Sequence, residues 1–142
     1  MNNSLCLFTN EFPYGLQETF IENELEALCK SFDRVVIVPL FKSSSIREFP
    51  FENLHVMTPV NNSRDITIHK LILLFYPEFW FSLFQGIRDI SFSKSSFIKV
   101  VKQAFIIARL KKYISKRSEV SDVDLWYFYW GTNAISVLPF LK

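Results

Sequence analysis

Residues 4–40 run as an apolar stretch, a tight turn, an amphipathic stretch and a second apolar run. Few folds accept that order other than a βαβ unit with parallel strands. Ser4-Leu5-Cys6-Leu7-Phe8 is nearly continuous in apolar character and ends at Thr9-Asn10-Glu11, as a strand buried on both faces would. Phe12-Pro13-Tyr14-Gly15 supplies a rigid proline and the only glycine before Gly86, so Gly15 is the position for a backbone conformation that other residues resist. A helix follows. Thr19 and Glu22 have the spacing of a capping box, and Ile21, Leu25, Leu28, Cys29 and Phe32 recur on one face while Glu22, Glu24, Glu26 and Lys30 take the other. Arg34 to Leu40 is a β-branched run too short for a helix, which makes it a second strand parallel to the first.

The whole chain of 142 residues is read as one domain, 1–142, with an α/β fold. Its architecture is a Rossmann-like open parallel sheet of about four strands with helices on both faces. Leu54-His55-Val56-Met57, closed by Thr58-Pro59, is a short third strand near a sheet edge. Asp124 to Trp130 is aromatic and extended, Gly131-Thr132-Asn133 is a turn, and Ala134 to Leu141 resumes a helical pattern. If that last strand lies beside the first, the loops at Tyr14-Gly15 and Gly131-Thr132 meet where ligands bind in open parallel sheets, beyond the carboxyl ends of the strands. Amides at two helix starts there suit anionic or hydroxyl groups. His55 has no convergent partners at metal-ligand spacing and is read as structural, so no metal site is assigned.

Sixteen phenylalanines within a 17% aromatic content exclude disorder and leave sticky surface for something to cover. Leu71 to Phe84 is apolar nearly all round, but Pro77 and Glu78 interrupt it, so it falls short of the length a spanning helix needs. It is either a helix pair buried within the protein or a surface resting in a membrane interface, with Trp80 and Phe81 among its aromatics. Between Lys94 and Arg117 lie eight Lys/Arg and no acid, although the net charge is only +2. Phe97, Val100, Val101, Ala104, Phe105, Ala108 and Tyr113 trace an apolar stripe there. Lys99, Lys102, Arg109, Lys111, Lys112 and Lys116 fill the remainder. Such a basic amphipathic helix suits an anionic membrane surface, or is simply a solvated face. Nucleic acid is disfavoured, because no recognised binding motif accompanies the charge and the rest of the chain is acidic. Cys6 and Cys29 read as small buried apolar residues in a reducing compartment, and Met1-Asn2-Asn3-Ser4 carries no signal peptide pattern. The expected location is cytoplasmic, peripheral at the inner face of the membrane.

The segment Phe12-Pro13-Tyr14-Gly15-Leu16-Gln17-Glu18-Thr19-Phe20-Ile21-Glu22-Asn23-Glu24-Leu25 resembles the N-terminal region of glycosyltransferase family 4 proteins of GT-B fold. Tyr129-Trp130-Gly131-Thr132 before an apolar helix is similar to a later segment of the same domain. The resemblance implies the acceptor-side half of an enzyme whose two Rossmann-like domains face one another, the C-terminal one binding a nucleotide-sugar donor. It implies that Tyr14, Gly15, Glu18, Thr19, Trp130, Gly131, Thr132 and Asn133 border the cleft. It also implies a hydrophobic and basic membrane-facing surface, here Trp80, Phe81, Lys99, Lys102, Arg109, Lys111 and Lys112. The donor domain lies outside this chain, so the chain reads as truncated. No catalytic residue is assigned, no cofactor is implied, and nucleotide-sugar and a glycan or lipid-linked acceptor become partners only with a C-terminal domain. A sheet edge left uncovered would make the isolated chain marginal or prone to associate. The alternative, from a different class, is a stand-alone α/β binding module that docks onto a membrane surface or a protein partner.

Overall fold

The structure is a computed structural model that describes residues 3–42, 45–60, 75–88, 94–129 and 138. The elements in chain order are β1 (Ser4–Thr9), α1 (Phe20–Ser31), β2 (Arg34–Pro39), β3 (Leu54–Val56), α2 (Pro77–Arg88), α3 (Lys94–Ile114), the short α4 (Ser118–Ser121) and β4 (Leu125–Phe128). They fall into two compact units. The first comprises Met1–Ser63 with Arg117–Thr132, and the second Arg64–Lys116 with Asn133–Lys142.

Among the described residues the first unit holds a four-stranded, wholly parallel open sheet in the order β3-β2-β1-β4. The fold is therefore α/β and Rossmann-like. Every residue of β1 is buried, and so is β2 from Val35 onward, which accounts for sequences that are apolar without alternation. Helix α1 lays Ile21 and Leu25 against Leu7 of β1, Ile37 of β2 and Phe12 from the intervening loop, all fully buried. Each such side chain contributes about 1.5–3 kcal/mol through loss of apolar surface to water. On the opposite face Phe8 stacks on Phe128, with centroids 4.6 Å apart. The Trp126 indole N–H donates to the Val120 carbonyl of α4.

Polar side chains close the ends of these elements. Asn53 donates from one amide nitrogen to the Cys29 and Phe32 carbonyls at 2.7 and 2.8 Å, satisfying carbonyls that the end of α1 leaves without partners. Asp124 accepts from the Ser4 amide and hydroxyl at 2.8 and 2.6 Å and so sets β4 against β1. Those bonds hold the Asp124 carboxyl below the ordinary carboxylate range.

Two expectations for α1 require correction. Thr19 precedes the helix but makes no capping hydrogen bond, because its backbone is already helical (φ −62°, ψ −24°) and its hydroxyl cannot swing over the first turn. Its intended partner Glu22 pairs instead with Arg47. Phe32 stands just past the helix in an extended conformation rather than on its packing stripe.

The second unit contains an α2–α3 pair. Pro77 opens α2 at the first helical position, where its missing N–H costs nothing, so the proline that interrupts the apolar stretch is a helix start. Phe79 packs on Ala104 and Ala108 of α3, with Tyr76, Leu83 and Phe105 around them. Leu71 to Leu74 lie outside the described residues. Among the described residues, no helix is long and apolar enough to cross a membrane.

Candidate functional site

Because β4 pairs in parallel with β1, the carboxyl ends of these two neighbouring strands lie side by side. That is the place at which open parallel sheets bind ligands. The residues described there belong to the β1–α1 loop and to the β2–β3 loop that folds over it.

The β1–α1 loop is fixed from inside. Glu18 adopts a left-handed conformation (φ 56°), unusual for a residue with a side chain. Its carboxylate turns back to accept from the Asn10, Glu11 and Phe12 amides at 3.2, 2.8 and 2.9 Å. Those charge-assisted bonds offset the backbone cost. Thr9 donates its hydroxyl to the Phe12 carbonyl at 2.6 Å, and the Phe12 ring is sunk in the core. Gly15 is likewise left-handed (φ 67°), the conformation for which glycine carries no penalty.

The β2–β3 loop clamps the same segment from outside. Tyr14 bridges Ile46 in antiparallel fashion, and the Gly15 amide donates to the Ser45 carbonyl at 3.3 Å. Arg47 is the centre of the clamp. Its Nε donates to the Pro13 carbonyl at 3.3 Å, one terminal nitrogen donates to the Gln17 carbonyl at 2.9 Å, and the other pairs with Glu22. Its guanidinium carbon lies 4.9 Å from the centre of the Phe12 ring. Lys42 sits 5.8 Å over the Tyr14 ring. The amides of Tyr14, Gly15, Ile21 and Glu22 all donate to carbonyls within the protein. An anion here would therefore meet the Arg47 and Lys42 side chains more readily than a cradle made of those four amides.

Of the residues expected at this cleft, Tyr14, Gly15, Glu18 and Thr19 lie together in the β1–α1 loop. Glu18 faces the loop's own backbone. Trp130, Gly131, Thr132 and Asn133 lie outside the described residues. Tyr129, just past β4, is buried in the α1 core, stacks on Phe20 and donates its hydroxyl to Glu24 at 2.9 Å. Burial and the Glu24 carboxylate push that phenol up to about 12. Arg47 was not singled out in the sequence, where it is one arginine in a polar connection.

The surface residues of the second unit divide into two groups. Trp80, Phe81 and Phe84 of α2 are 47%, 50% and 68% exposed, and the Trp80 ring meets Phe79 edge to face at 5.3 Å. Lys99 and Lys102 on α3 are exposed, as are Phe97 and Ile98 beside them. Lys111 bonds Glu78 at 2.6 Å and Lys112 sits 5.5 Å over the Tyr76 ring, so both are engaged within the helix pair. Arg109 is half-buried. Burial acts to raise the Glu78 carboxyl, but its bond to the Lys111 ammonium prevails and leaves it below the ordinary range.

An open cavity of about 650 Å³ lies at the other end of the sheet, where Ser4, Arg34, Asn53, His55 and Asp124 mark the starts of the strands. His55 belongs to its rim and is exposed. Among the described residues there is no group of three or more His, Cys, Asp or Glu side chains arranged to hold a metal ion. Burial raises the Cys6 thiol far above its ordinary value, which removes it as a nucleophile.

Comparison with protein-family models, with curated proteins and with solved structures found no match.

The clamp makes a testable demand on Arg47. Replacing it with alanine should cost about 1–3 kcal/mol of stability in a denaturant titration, since two carbonyls lose a charged donor and Phe12 loses its cover. Arg47→Lys should recover less than half of that loss, because an ammonium cannot reproduce the planar fork. Full recovery by lysine would reduce the clamp to a matter of charge.

Proposed function

We propose that this chain is the acceptor-binding, N-terminal part of a glycosyltransferase that moves a sugar from a nucleotide-sugar to a polysaccharide or lipid-linked acceptor. It acts only together with a donor-binding domain. One observation carries this reading. The segment Phe12 to Leu25, on which the resemblance to family 4 glycosyltransferases rests, follows the central strand β1 and stands at the carboxyl end of the sheet beside β4. A transferase needs its acceptor held against a donor whose diphosphate is neutralised as charge develops. In this reading Tyr14 and Gly15 border the acceptor, Lys42 and Arg47 contribute local positive charge, and the donor's own site belongs to the second domain.

Transfer is the test. The chain is incubated with radiolabelled UDP-glucose, UDP-galactose and GDP-mannose and a lipid-linked acceptor extract. The incubation is made with the chain alone and with the chain together with the polypeptide that its genome encodes after Lys142, in the same or a shifted frame. Label should enter the lipid fraction only in the mixture. Gly15→Val, which cannot hold the left-handed turn, should lower the rate by about 10²-fold through displacement of the loop. Transfer by the chain alone, or none in the mixture, would contradict the reading.

A second reading, docking onto an anionic membrane, is favoured by the exposed Trp80, Phe81 and Phe84 on α2 and the exposed Lys99 and Lys102 on α3. It predicts that the chain sediments with phosphatidylglycerol vesicles. Reversing Lys99 and Lys102 to glutamate should weaken that binding by at least about tenfold, at up to about 1 kcal/mol for each charge near the surface. Binding that the double reversal leaves unchanged would eliminate it.

A further inference from the structure

Among the described residues β4 is the outermost strand of the sheet beyond β1, and its side chains alternate between the two faces. Trp126 and Phe128 share a face with Cys6 and Phe8, while Leu125 and Tyr127 share the α1 face with Leu5 and Leu7. Helix α1 packs over β1 and β2, and Leu125 and Tyr127 are left 49% and 39% exposed. The rings beside them form a continuous series. Tyr127 lies 5.6 Å from Tyr129, and Tyr129 stacks on Phe20, itself 37% exposed, at 5.1 Å with an angle of 22°. The Tyr129 hydroxyl fixes one oxygen of Glu24, an exposed residue one turn along α1 from Phe20.

We propose that this shelf, Tyr127 and Phe20 flanking Tyr129 with the Glu24 carboxylate at its edge, binds a neutral glycan. The face of a sugar ring carries C–H groups with slight positive charge, which suit the negative face of an aromatic ring. Its rim of hydroxyls can donate to the second Glu24 oxygen and exchange hydrogen bonds with the Tyr127 hydroxyl. An apolar protein segment laid over the same surface would bury the second Glu24 oxygen without a donor, at a cost that hydroxyls avoid. The shelf lies on the α1 face of the sheet and takes its rings from the start of α1 and from β4 and the residue just past it. The proposal rests on the transferase reading for the class of ligand, but its test needs no donor and no transfer.

The full chain is titrated with maltohexaose, cellohexaose, chitohexaose and mannohexaose, with saturation-transfer NMR and calorimetry as readouts. At least one should bind with a dissociation constant of about 1 mM or tighter. Tyr127→Ala should weaken that binding about tenfold or more, and Tyr127→Phe, which keeps the ring, should stay within about threefold of the parent. Glu24→Gln, which still accepts from Tyr129, should weaken binding about threefold or more and decides the matter if Tyr127→Ala fails to fold. Three results would overturn the proposal. One is no binding of any hexasaccharide at about 10 mM, and another is affinity unchanged in Tyr127→Ala or in Glu24→Gln. The third is an oligomer that Tyr127→Ala disperses, which would mean that a second copy covers the shelf. Binding here without transfer in the mixed assay would count against the transferase reading alone, and transfer without binding here would count against the shelf alone.

Discussion

The carboxylate of Glu18 accepts from three consecutive amides, those of Asn10, Glu11 and Phe12, and the path of the chain between β1 and α1 follows from that. Without it those amides would need water or another acceptor at the end of the central strand. With it, Phe12 is drawn into the core between Leu7 and Ile21, Gly15 takes its left-handed turn, and α1 starts at Phe20 at the angle its packing face requires. Arg47 then closes the arrangement from the β2–β3 loop. The loop that forms the candidate site is bonded both to itself and to its neighbour, with helix and sheet as the support.

Burial in the sheet is strongly graded. β1 and most of β2 are closed on both faces, while β4 alternates between exposed and half-buried residues. The aromatic richness of the chain divides along the same line. Phe8 and Phe12 are fully buried, whereas Phe20, Tyr127, Trp80, Phe81 and Phe84 stand at the surface of one or the other unit. These exposed rings are the surfaces on which the proposed membrane and glycan readings rest.

Much of this was legible in the residues. The continuous apolar runs at Leu5–Phe8 and Val35–Val38 announce doubly buried strands, and the spacing of Ile21, Leu25, Leu28 and Cys29 announces the helix between them. The alternation of Leu54–Val56 before Thr58-Pro59 and the aromatic, extended character of Leu125–Phe128 mark the remaining strands. What the residues did not disclose is where polar side chains reach over distance. Glu18 stands two residues before α1, yet it serves the loop behind it. Glu22 has capping-box spacing and is taken by Arg47, 25 positions away. Asn53 reads as turn punctuation and in fact closes the end of α1, more than twenty positions earlier. Local spacing encodes contacts within a helix turn, but pairings set by how two loops meet in space leave no periodic trace. The same limit explains why Lys111 and Lys112, indistinguishable from Lys99 and Lys102 by pattern, are tied to Glu78 and Tyr76.

The most direct test of Glu18 as the organising contact is amide hydrogen exchange in Glu18→Gly. Glycine accepts the left-handed conformation without strain, so the substitution removes the carboxylate while relieving the backbone. Exchange at Asn10, Glu11 and Phe12 should accelerate by about ten- to a hundredfold while Leu5 to Phe8 keep their protection, a local opening rather than a global one. Unchanged protection at those three amides would mean that the loop holds its shape by packing alone and would contradict the account.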